Sequence, residues 1–189
     1  MADNKTAQPQ RPLEGRMAGS PLVRIEPAEP ANRLVLRARP EASAELSKAL
    51  GVKLPQKPKS SEQSKAAKTK GRRALWIGPD EWLIIADASA DLTSVCGKVS
   101  ALHSAVDVSH RNTAITVSGP AAEATLNAGC PQDLSLDAFP VGACSRTLLG
   151  KAEVVLLRES EETFRVECWR SFSAYVFDFL ADASRAPMI

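Results

Sequence analysis

The chain has 189 residues, 44% of them Ala, Val, Ile, Leu, Met, Phe, Trp, Tyr or Cys, 24% Asp, Glu, Lys or Arg, and a net charge of +2. That is an ordinary soluble globular profile, long enough to bury a core without disulfides or a metal. The longest apolar run is five residues, Trp82 to Ala86, against the ~20 needed to span a bilayer, and the N-terminus has no apolar leader stretch, so the expected location is cytoplasmic.

Charge is uneven: residues 1–72 carry 15 Lys/Arg against 7 Asp/Glu, and residues 73–189 carry 9 against 15. The four cysteines, Cys96, Cys130, Cys144 and Cys168, are spaced 34, 14 and 24 apart with no C-x-x-C. With two histidines and no ligand spacing, they read as small core hydrophobes and not as a metal site or a disulfide framework.

Residues 1–20 are polar and aperiodic and read as a disordered tail; residues 21–189 read as one domain. Order is expected from Arg33, where RLVLRAR (33–39) alternates as an amphipathic strand. Pro40 and Gly51 bracket a helix over about 41–50 with Leu46 and Leu50 as its buried stripe. Residues 53–72 hold seven Lys/Arg against one Glu, with no aromatic residue. This reads as a flexible, solvated basic insert, since a nucleic-acid arm would need stacking side chains.

RALWIGPDEWLIIAD (73–87) is a hairpin about Gly78-Pro79-Asp80-Glu81, with strands apolar enough to be covered on both faces. Leu92, Val95, Cys96, Val99 and Leu102 fall on one helical face. Strands 105–110 and 113–119 follow as a hairpin around Arg111-Asn112. A helix then opens at Pro120 and stops at Gly129. Three strands at 144–150, 152–159 and 163–170 precede a last helix, capped by Ser171, with Phe172, Tyr175, Val176, Phe179 and Leu180 as its stripe. The order strand–helix–hairpin–helix occurs twice. The fold class is therefore α+β, built from duplicated β-α-β-β-α units with mixed sheets.

No nucleotide or hydrolase fingerprint is present. Asp107, Ser109 and His110 contain the residue types of a catalytic triad, but strand alternation points His110 away from the other two. The Asp80-Glu81 pair reads as a solvated turn, and Trp76, Trp82 and Trp169 read as core. No residue is expected to be catalytic, to bind a cofactor or to hold a metal. Ser109, His110, Arg111 and Asn112, at a polar strand end, suit a subunit interface.

WIGPDEWLII (76–85), VDVSHRNTAITVSGPAA (106–122), LNAGCPQDLSLDAFPVGACSRTLLGKAEVVLLR (126–158) and CWRSFSAYVFDFL (168–180) resemble, in that succession, the gamma subunit of bacterial heterotetrameric sarcosine oxidases. The resemblance implies the fold of the folate-binding domain of glycine-cleavage aminomethyltransferases. It implies a non-catalytic subunit that packs on and stabilises alpha, in a complex with beta and delta that oxidatively demethylates sarcosine to glycine, hydrogen peroxide and formaldehyde or methylene-tetrahydrofolate. FAD, FMN, NAD, zinc and tetrahydrofolate are then expected on the other subunits. The alternative is a stand-alone folate-binding protein of one-carbon metabolism. It should show a K-G-C-Y-x-G-Q-E-like motif, whose nearest counterpart here, GACSRTLLGKA (142–152), lacks the Tyr, Gln and Glu.

Overall fold

Each of the two sheets alternates apolar side chains between its faces, so each needs two covers, and the chain supplies them as four layers. The computed structural model describes residues 11–186. In chain order the strands are β1 (Ala18–Ser20), β2 (Val23–Pro27), β3 (Ala31–Ala38), β4 (Ser61–Gln63), β5 (Arg73–Gly78), β6 (Glu81–Asp87), β7 (His103–Asp107), β8 (Asn112–Ser118), β9 (Cys144–Leu149), β10 (Ala152–Ser160) and β11 (Thr163–Trp169). The helices are α1 (Ser43–Leu50), α2 (Leu92–Cys96), α3 (Ala122–Asn127) and α4 (Ser173–Ala183).

One sheet runs β1-β2-β8-β11-β10-β9 and the other β4-β5-β6-β3-β7. Every pairing among these strands is antiparallel, in place of the mixed sheets expected. In β6, Trp82, Ile84 and Ala86 face α1 and α2, while Leu83 and Ile85 face the other sheet. In β10, Val154 and Leu156 face α3 and α4, while Val155 and Leu157 face the β4-β5-β6-β3-β7 sheet. The continuous apolar runs are thus strands buried on both sides. The layers run helix, sheet, sheet, helix, with an apolar core under each helical layer and a seam between the sheets.

The duplication is visible in the strand orders. Matching β3 to β8, α1 to α3, β4-β5-β6 to β9-β10-β11 and α2 to α4 makes β7-β3-β6-β5-β4 and β2-β8-β11-β10-β9 coincide. The fifth strand differs in origin: β7 follows its unit, whereas β2 precedes both.

Several local expectations are corrected. Structure begins before Arg33: β1 and β2 form there, and Leu13 is buried. Of the expected tail, residues 1–10 lie outside the described residues. The 53–72 segment carries β4, paired with β5 from Ser61↔Leu75 to Gln63↔Arg73. Its Leu54 and Pro55 are buried, and the Pro55 carbonyl accepts the Trp82 indole N–H at 2.7 Å. The lysines of this segment are all exposed, so its charge marks a solvated face while its backbone completes a sheet.

The helix after Asp91 ends at Cys96, and Leu102 is 80% exposed, beyond it. Gly129 has an ordinary φ and acts by close approach, since a Cβ there would sit 2.4 Å from the Phe179 ring. Ser171 does not cap α4: a short 3-10 turn covers Arg170–Phe172, and Ser173 Oγ donates to the Arg170 carbonyl. The buried stripe of α4 is Ser173, Val176, Phe177 and Leu180, leaving Phe172 and Tyr175 exposed.

Candidate functional site: the crossover turn and its buried anchor

The sequence reading makes residues 105–119 a hairpin. The structure places β7 in one sheet and β8 in the other, so Val108–Arg111 is a crossover between sheets. The physical reason is burial. Val108 is 4% exposed and sits in the seam, which it reaches only by leaving the sheet edge. The turn is closed by Arg111 N–H and Asn112 N–H, both donating to the Val108 carbonyl at 3.1 and 2.9 Å.

The turn is tied to the fold through Arg33. Val108 N–H donates to the Arg33 carbonyl at 2.9 Å, and Arg33 N–H donates to Ser109 Oγ at 2.9 Å. The Arg33 side chain, 5% exposed, points into the seam. There its Nε lies 2.6 Å from Glu167 Oε2, and Arg165 Nε lies 2.7 Å from the other oxygen of the same carboxylate. One buried carboxylate thus holds two guanidinium groups from two sheets, by charge-assisted bonds. Sequence reasoning passed over these residues. The available signal was a charged residue interrupting an apolar strand, Arg33 beside Leu34 and Glu167 between Val166 and Cys168.

Asp107 caps the turn by accepting the Ser109 N–H at 2.7 Å. Hydrogen bonds from Ser109, side chain first and then backbone, hold the Asp107 carboxyl below its ordinary range. Asp107, Ser109 and His110 are therefore close, but not as a triad. Ser109 Oγ is engaged with the Arg33 backbone, and a triad requires the hydroxyl to be held by the imidazole.

His110 and Arg111 are exposed, and Asn112 and Ser109 are half-buried. The Arg111 guanidinium lies 5.3 Å from the centroid of the Trp169 ring, and its Nε donates to Asn112 Oδ1 at 3.2 Å. Trp169 pairs with Asn112 across the β8–β11 ladder, and Phe172 tilts against it at 6.1 Å. Of the three tryptophans, Trp82 is core as expected, but Trp169 is 42% exposed beside the turn.

Two concavities adjoin the turn. A cleft of about 580 Å³ lies at the end of the sandwich where the β2–β3 and β7–β8 connections run side by side, lined among others by Glu29, Asn32, Asp107 and His110. A smaller wedge of about 200 Å³ opens into the seam beneath Val106, Arg111 and Trp169. No group of three His, Cys, Asp or Glu able to hold a metal ion occurs among the described residues. Cys144 and Cys168 are pushed up to about 12 by burial, the opposite of thiolate activation. Asp80 and Glu81 do not act as a pair: Asp80 meets Arg37 and Glu81 meets Arg146. What the site offers is a rigidly anchored turn presenting His, Arg and Trp, a recognition chemistry. No helix among the described residues is long and apolar enough to cross a membrane.

Residues 36–186 match the sarcosine oxidase, gamma subunit family. Sarcosine oxidase subunit gamma of Corynebacterium sp. strain P-1 is 32% identical over 176 residues, 90% of this chain and 83% of that protein. The Arthrobacter sp. protein of the same name is 35% identical over 159 residues, 81% of this chain and 75% of its own. Among solved structures, a chain of the heterotetrameric sarcosine oxidase from Corynebacterium sp. U-96, in complex with pyrrole 2-carboxylate, superposes with a TM-score of 0.80 at 28% identity, covering 94% of this chain and 93% of that one. Glycine cleavage system aminomethyltransferase T from Bartonella henselae superposes at 0.64 and 11% identity over 84% of this chain and 45% of its own, a likeness of fold alone. A four-layer sandwich of two like units, with the sequence elements of this family over nearly its whole length, belongs to the sarcosine oxidase gamma subunit family.

Proposed function

We propose that the chain is the gamma subunit of a cytoplasmic heterotetrameric sarcosine oxidase, in which it packs on alpha and carries no active site of its own. The reading is carried by the near full-length match to proteins named sarcosine oxidase subunit gamma, together with the match to a chain of a heterotetrameric enzyme. The assembled enzyme oxidises sarcosine to glycine, yielding hydrogen peroxide and formaldehyde or methylene-tetrahydrofolate. FAD, FMN, NAD, zinc and tetrahydrofolate are held by the alpha, beta and delta subunits. This chain's part is to complete the assembly, with Ser109, His110, Arg111 and Asn112 at the contact with alpha.

The anchored turn supports that role. A turn fixed by Arg33, Ser109 and Asp107 loses little freedom when it docks, which removes part of the ordering cost of association. The test is co-expression with tagged alpha, beta and delta subunits. The chain is expected to co-purify with them in equal amount. Purified alone, it is expected to be colourless and inactive on sarcosine. A stoichiometric flavin absorbance or sarcosine oxidation by the isolated chain overturns the reading.

A further inference from the structure

We propose that the free edge of β7 and the Arg111–Trp169 cluster beside it form one docking surface, occupied by an extended, carboxylate-bearing segment of a partner subunit. The proposal rests on the reading that this chain works inside a hetero-oligomer, and adds to it the mode of contact and the residues that dominate it.

The first observation is an unprotected sheet edge. β7 ends its sheet and pairs only with β3, in unbroken register from Leu34↔Asp107 to Ala38↔His103. Half the backbone groups of an edge strand point away from the sheet. Among the described residues none of those from His103–Asp107 makes a backbone bond to anything but β3. Of the other edges, β1 and β4 have three residues each, and β4 is tied to the start of β9 through the Ser60↔Ala143 bridge. β9 is the other regular edge, with its first N–H bonded to the Lys59 carbonyl and its guanidinium, Arg146, already paired with Glu81. β7 is five residues, HSAVD, with no Pro, Lys or bulge. Val106 on it is 52% exposed. A free, regular edge is completed by a strand from another chain, which is the backbone half of the recognition.

The second observation is chemical. Trp169 and Phe172 are 42% and 44% exposed and lie against one another. Arg111 sits over Trp169 with an amide oxygen and a ring as partners, and no carboxylate lies within ion-pair reach among the described residues. The other exposed cation on the same wedge, Arg146, is already matched by Glu81 at 3.2 Å. One unmatched guanidinium thus sits on an exposed indole beside Val106 at the mouth of the 200 Å³ wedge. Trp and Arg in such settings dominate interface energies. The charge selects the partner: a segment that lays an apolar side chain into the wedge and a carboxylate onto Arg111.

The experiment compares the chain alone with the chain in the co-expressed complex. Amide exchange at Ala105 and Asp107, whose N–H groups point away from β3, is expected to slow at least about tenfold on assembly, the signature of new backbone bonds. Trp169→Ala and Arg111→Ala are each expected to weaken assembly about 30-fold, as hot-spot truncations do. Leu22→Ala, an exposed apolar residue on the far edge of the other sheet, should change it less than about twofold. If the wild-type chain assembles but β7 exchange is unchanged and both variants assemble normally, the docking surface is wrong while the subunit reading stands. If the wild-type chain does not join the complex, both fall. If the isolated chain is a dimer with β7 already protected, the occupant is a second copy and the proposal is overturned. Should Trp169→Ala lose its fold by circular dichroism, Arg111→Ala and the wild-type exchange pattern decide.

Discussion

The helix-facing cores and the inter-sheet seam are built from the same strands, yet by different chemistry. Under α3 and α4 the buried cluster is mainly apolar, with Ile115, Leu156, Phe164 and Val166 typical of it. Its buried cation, Arg158, lies over the Phe164 ring and pairs with Glu123 of α3 inside the same unit. The cluster under α1 and α2 is apolar. The seam has a smaller apolar set, centred on Leu75, Leu83 and Leu157, and is laced by ion pairs that join one sheet to the other: Arg33–Glu167, Arg73–Glu159 and Arg146–Glu81. An apolar core takes any tight fit, whereas a buried ion pair tolerates only one register. The helical layers thus supply most of the burial, and the seam specifies how the two units face each other.

The largest way to break that contrast is Glu167→Gln, which leaves Arg33 and Arg165 in the seam without their carboxylate. A loss of about 3–5 kcal/mol is expected in urea unfolding. Replacing Arg33 and Glu167 together by apolar residues is expected to cost much less, since no orphaned charge remains. A double variant as unstable as the single would show that packing, not charge, holds the seam. In the helix-facing core, Leu46→Ala is expected to cost about 2–5 kcal/mol by loss of contact and cavity formation, and unlike Glu167→Gln its effect should be insensitive to salt. At the rim of the seam, Arg146→Ala removes a pair that is 38% and 21% exposed and should cost under about 1 kcal/mol, falling further in high salt.

The smallest effect at neutral pH involves one thiol from each region, Cys144 in the seam and Cys168 under α4. Burial raises both from 9.0 to about 12. Folding favours the protonated thiol, so this stabilisation is whole below about pH 9 and is lost as pH rises from there toward 12. Unfolding midpoints measured from pH 8 to 11 should fall in the wild type and fall less in Cys144→Ala and Cys168→Ala. Equal slopes in all three would remove the thiols from the account.

Much of the fold was legible because alternation and turn chemistry are local. Gly51 takes the left-handed conformation that ends α1, at φ 65°, and the β5–β6 hairpin turns where Gly78-Pro79-Asp80 stand. What was not legible depends on distant partners. β4 has no apolar pattern of its own, and only the duplication could signal it, because β9 has a counterpart to find. The crossover at Val108–Arg111 looks like a hairpin to any local rule. It becomes a crossover only because Val108 is drawn into a seam made by strands far apart in sequence. At the site, charge marks Arg111 as an interface residue. Trp169 reads as core, because an aromatic residue in a strand gives no sign of whether its face is covered.

The differing origin of the fifth strands sets an order of events as the chain is made. The sheet holding β3–β7 draws on residues 31–107 alone, so all its strands have emerged before β8 has. The other sheet needs residues 18–27 from one side of that block and 112–169 from the other. β1 and β2 are made before every other described strand, yet they stay unpaired with the rest of their sheet until β8 arrives. Nascent chains fold unit by unit from the N-terminal side. Here the inner unit closes first, and the outer one folds around it by joining the two segments that flank it in sequence.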